Sequence, residues 1–170
     1  MTEEEWNRSE EAASMLLALH ERQPVYFADN LVQIHRFLIA CCWKNAHLIP
    51  QKGLQEGLKG AEKWIAGEID DDELNRLNWY AEGEAFTIDY AAEPYEIDEI
   101  NGMISQIPQL DGMCFEEAKA LLERAAHFAE ITMVFQGMQP QPRAWLSIIS
   151  RNAEFLCADL LREHLKPELR

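Results

Sequence analysis

Two adjacent cysteines, a tryptophan and a histidine sit inside the otherwise apolar run FLIACCWKNAHLI, from Phe37 to Ile49. Thiolates and imidazoles ligate zinc and serve as nucleophiles and bases, so this run is the first place to look for chemistry. Its spacing argues against both uses. On a helix, Cys41 and Cys42 point about 100° apart, and His47 falls off the i+3 and i+4 positions that bring side chains together. His35 shares a face with Cys42 but lies about 10 Å away along the axis. Zinc, by contrast, holds its ligands at about 2.0–2.3 Å. A buried cysteine behaves as a small apolar residue, and Cys41 falls on a helically spaced stripe with Leu31, Ile34, Leu38, Asn45 and Leu48. The run reads as a packing helix, with a redox or ligand role as the lesser alternative.

The histidines elsewhere offer one further candidate. The residues three before His20, His35, His47, His127 and His164 are Leu17, Val32, Lys44, Arg124 and Leu161, so the Glu-x-x-His of di-iron bundles is missing. No Cys-x-x-Cys or His-Glu-x-x-His is present. His127 alone stands among carboxylates on its own segment, with Glu123 one turn back and Glu130 one turn on. Such a set could move a proton or start a metal site that other parts of the fold complete. The blander reading is a histidine at the edge of an apolar face. From Asp70, DDDELNRLNWYAE resembles a calcium loop only at its start, because Leu74 and Asn75 stand where an acid or amide and a glycine are required. Glycine-rich phosphate loops, Gly-x-Ser-x-Gly elbows and dinucleotide fingerprints are absent. No cofactor is expected.

The elements that must position these residues read as helices. Thr2 and Glu5 form a capping box, a break falls near Ser9, and Pro24 ends the first segment. A second helix is expected from about Asp29 to before Pro50, and a third over about Leu54 to Ala66, closed by Gly67. Asp70 and Glu73 signal the next start, with Leu74, Leu77, Ala81, Ala85 and Ile88 continuing at helical spacing. Pro94 suits the first position of a helix carrying Ile97, Ile100, Ile104 and Ile107. Two long helices close the chain, from about Phe115 to Gln136 and from Pro142 to Leu165, joined by a turn in QGMQPQPR. No run alternates with the period of a strand. The expectation is all-α: one domain over residues 1–170, a bundle of six to seven helices.

Charge is what sets the chain apart. The net charge is −15 over 170 residues. From Glu68 to Glu99, twelve carboxylates face a single base, Arg76, giving −11, while the segments before and after it each carry −2. Such a chain repels phosphates and anionic lipid, which argues against nucleic acid and membrane surfaces as partners. Trp79, Tyr80, Phe86, Tyr90 and Tyr95 lie in the same window. Rings among carboxylates suit a surface that grips a basic protein, by area, cation–π contact and electrostatic steering. The residues expected to carry such binding are Asp70, Asp71, Asp72, Glu73, Trp79, Tyr80, Glu82 and Glu84. The plainer alternative is a solvated face whose rings point inward.

The stretches TEEEW, RFLIACCWKNAHLIP and GLKGAEKWIAGEIDDDEL resemble a large uncharacterised bacterial family of helical proteins. The likeness covers about Met1 to Ala85. It implies a helical, bacterial protein and brings no catalytic or binding residue with it. With an acidic opening in place of a basic-then-apolar leader, and four irregularly spaced cysteines, the expected location is cytoplasmic. The reading favoured is a non-catalytic module that binds a basic partner, in the manner of immunity proteins or antitoxins. The alternative is a metal-dependent enzyme or a small-ligand bundle with His127 near its site. Broad apolar faces are compatible with a homodimer.

Overall fold

The computed structural model describes residues 2–135 and 142–168, the side chains of 142–146 excepted. Every regular element among the described residues is helical. In order these are α1 (Glu3–Arg8), α2 (Ala12–Arg22), α3 (Pro24–Asp29), α4 (Leu31–Lys44), α5 (Lys52–Ile65), α6 (Asp71–Asp89), α7 (Pro94–Ser105), α8 (Phe115–Met133), α9 (Pro142–Arg151) and α10 (Ala158–His164). Short 3₁₀ turns lie at Ala46–Leu48, Pro108–Leu110 and Ala153–Phe155.

The all-α expectation holds, and the count of six to seven helices is corrected to ten among the described residues. Three breaks account for the difference: the one expected near Ser9, which separates α1 from α2, and two more. Pro24 ends α2 and also opens α3 as its first residue, where its missing N–H costs nothing. The expected last helix breaks at Asn152, whose side-chain amide donates to the Ile148 carbonyl at 2.8 Å. An amide that offers the backbone this local bond favours an end over a continuation. Leu156, expected on the helical stripe, is in extended conformation, and Phe155 is buried in its place. The turn expected in QGMQPQPR lies outside the described residues, save for Pro142 and Arg143, which open α9.

The chain divides into two compact units, Met1–Trp43 with Phe135–Arg170, and Lys44–Val134. In the first, the Thr2 hydroxyl accepts from Glu5 N at 3.2 Å and the Glu5 carboxylate accepts from Thr2 N at 2.6 Å, so the capping box forms as expected. Both ends of the chain meet here. The Arg162 guanidinium donates to the carbonyls of Trp6 and Ser9, Lys166 N donates to the Tyr26 hydroxyl at 3.0 Å, and the Gln23 amide donates to the Glu168 carbonyl at 2.8 Å. Helix α4 is buried along Ile34, Phe37, Leu38, Cys41 and Cys42.

The second unit is built on an antiparallel pair, α5 and α6. Gly53, Gly57 and Gly60 present one face of α5 without side chains, and Glu84, Ala81 and Leu77 of α6 lie against them in that order. Glycine lets the two backbones approach closely. A methyl group on Gly60 would run into Leu77, and one on Gly57 into Met133 of α8. The connection between α5 and α6 turns at Gly67, with φ of 74°, while Gly67 N and Glu68 N reach back to the carbonyls of Trp64 and Lys63 at 2.9 Å each. That left-handed closure is the helix stop its glycine signals. Asp70 then caps α6, accepting from Glu73 N at 2.9 Å. Helix α8 packs on both, burying Leu122, Ala125, Ala126, Phe128 and Ala129. No helix among the described residues is long and apolar enough to cross a membrane.

Candidate protein-binding surface

Helix α6 has a plain inner side and an unusual outer one. Leu74, Ala81, Ala85 and Ile88 are buried. At about 100° per residue, Trp79, Gly83, Phe86 and Tyr90 fall about 130–170° away from that stripe. Trp79 is 74% exposed, Tyr80 58% and Tyr90 76%. Phe86 is exposed too, and Tyr95, on the first turn of α7, is 64% exposed. The rings therefore point outward. Large aromatic side chains left in water make this side of α6 a candidate binding surface.

Trp79, Tyr80, Glu82, Gly83 and Phe86 line a shallow groove of about 470 Å³. Trp79 and Tyr80 meet edge to face at 6.2 Å between centroids, and Phe86 and Tyr90 lie tilted at 5.6 Å. Phe86 also meets the His127 ring of α8 edge to face at 5.5 Å. His127 Nε2 lies 2.6 Å from Asp89 Oδ2, an ion pair whenever the imidazole is protonated. Glu130, one turn further on, is half-buried. Burial raises its pKa above the ordinary carboxyl value, the Glu82 carboxylate raises it further, and the His127 imidazole works the other way. Helices α6 and α8 thus bring two carboxylates, an Asp–His pair and a row of rings to one side of this unit.

The eight residues expected to bind a partner divide by what they already do. Asp70 is the cap of α6, and Asp71 accepts from the Trp64 indole at 2.7 Å. Glu73 pairs with Arg76 at 2.6 Å, and this guanidinium holds its carboxyl below the usual value. The Glu84 carboxylate accepts from Gly53 N at 2.7 Å and so caps the start of α5. Asp72, Trp79 and Tyr80 remain exposed without such a duty, and Glu82 is half-buried beside Glu130. Residues outside those eight join them: Phe86, one of the rings of the acidic window, and Gly83 in the groove, and Asp89 as the partner of His127. The helical period of α6 would have found the first two. Asp89 lies 38 residues from His127, beyond any local spacing rule.

The alternative site is also rearranged. His127 turns to Asp89, and Glu123 accepts from Lys119 on its own helix. Among the described residues, no group of three or more His, Cys, Asp and Glu side chains could hold a metal ion. Cys41 and Cys42 are fully buried, Cys157 is half-buried and Cys114 is exposed at the start of α8.

No family model, curated protein or solved structure matches the chain.

Proposed function

We propose that this protein is a non-catalytic binding module that takes a basic protein partner on the acidic, aromatic surface of α6 and α7, as an immunity protein or antitoxin would. One observation carries the reading: Trp79, Tyr80, Tyr90 and Tyr95 are exposed among the densest carboxylates of the chain. Rings kept in water contribute nothing to a core, whereas a partner that covers them gains their area and their cation–π attraction. Carboxylates around them steer a positively charged surface into place and set it against other partners. Two copies of this face would repel each other, so a homodimer would use a different one.

The test is capture from extract of the native host, using the tagged protein at about 0.05 M and about 1 M salt, where screening shortens to about 3 Å. A basic protein should be retained at low salt and released at high salt. It should also fail to bind the triple variant Asp72→Lys, Asp98→Lys, Glu99→Lys, whose positions are exposed and carry no cap. Retention of the partner regardless of salt and of these reversals would overturn the reading.

A second reading rests on the His127–Asp89 pair at 2.6 Å, a carboxylate–imidazole unit at the edge of the groove. Such a pair can pass a proton or orient a ligating imidazole. Elemental analysis of the purified protein decides the metal form of it: a stoichiometric transition metal supports the idea, and metal-free protein removes it.

A further inference from the structure

Gly83 stands in the interior of α6, where glycine weakens a helix. The glycines of α5 have a packing reason to be there. Gly83 has none, because a methyl group added to it would meet nothing within 4 Å. What its bare backbone does is leave the floor of the groove open, with Trp79 one turn before and Phe86 one turn after. These two residues are seven apart, about 10 Å along the axis. A group resting midway would lie within the reach of about 6 Å over which a ring face attracts a cation. Glu82 forms the wall, and Glu130 of α8 interacts with it.

We propose that this groove is a socket for one arginine side chain of the basic partner, its guanidinium over Gly83 between the Trp79 and Phe86 rings and its N–H groups turned to Glu82. The proposal rests on the reading above and names the contact that anchors it. Arginine fits better than lysine for a physical reason. Its guanidinium is flat, stacks on aromatic faces, sheds water more readily than an ammonium and offers a fork of donors to a carboxylate. The belt of carboxylates sees only charge, while the socket sees shape.

Fluorescein-labelled deca-arginine and deca-lysine, which carry equal charge, separate the two. Titrated against the full chain near physiological salt, deca-arginine should bind about fivefold more tightly. Gly83→Leu should erase that difference, as should Trp79→Ala, a second variant at an exposed ring. Circular dichroism melts would establish that both variants are folded. Equal binding of the two peptides by the parent protein would overturn the socket and leave the acidic belt standing. Persistence of the arginine preference in either folded variant would also overturn it. If neither peptide binds, the belt and the socket fall together.

Discussion

Helices α4 and α6 use opposite kinds of residue for opposite purposes. Helix α4 carries the side chains that look reactive and hides them: Cys41, Cys42 and His35 have no exposed surface. Helix α6 carries ordinary packing residues, tryptophan, tyrosine and phenylalanine, and leaves them in water. Residue type alone therefore misleads about chemistry. A thiol buried among leucines is filler, whereas an indole displayed beside carboxylates is available for recognition.

The comparison breaks most sharply through the cores. Phe37→Ala removes a fully buried ring from α4 and should cost about 3–5 kcal/mol in chemical denaturation. Trp79→Ala removes a larger ring from α6 and should change stability by no more than about 0.5 kcal/mol. If the two variants lose similar stability, the outer side of α6 is covered and the contrast is void.

A smaller effect separates two kinds of glycine. Gly57→Val drives a branched side chain into Met133 and the Ala81 methyl, so overpacking should destabilise the protein by about 1–3 kcal/mol. Gly83→Ala enters open space and should stabilise α6 by about 0.5–1 kcal/mol. Thermal melts of the pair should shift in opposite directions; a fall for both would mean that Gly83 is also held by packing.

The smallest effect sharpens the electrostatics between α6 and α8. Burial and the Glu82 carboxylate raise the Glu130 pKa in the folded protein. An acid raised in this way contributes stability that is complete below the unfolded value of about 4.3 and is lost as pH rises through the folded value. Glu130→Gln cannot undergo that loss. It should melt above the parent at pH 7, and the gap should close as pH falls towards about 4. A gap independent of pH would show that neither burial nor Glu82 raises the Glu130 pKa.

Much of this fold is legible in the sequence because its signals are local. Thr2, Asp70, Pro94 and Gly67 each sit where their backbone chemistry requires, and the elements begin or end there. The break at Asn152 is hidden in the sequence because the apolar spacing continues through it, while the amide that ends the helix acts on a carbonyl four residues earlier. The site is half legible. Carboxylate density shows in composition, and the outward set of the rings follows once Leu74, Ala81, Ala85 and Ile88 are taken as the inner stripe. Capping of α5 by Glu84 and pairing of Asp89 with His127 depend on how helices meet, which no single helical period encodes. These contacts also explain why negative residues that look alike in a list are not interchangeable in the folded chain.

The second unit is one uninterrupted stretch, Lys44–Val134, while the first is assembled from both sides of it. Synthesis in the N-to-C direction therefore delivers the whole of the aromatic surface before it delivers the Arg162 that clasps Trp6 and Ser9. The unit that is begun first is completed last, and the acidic, aromatic surface is chemically entire while the nascent protein is still tethered.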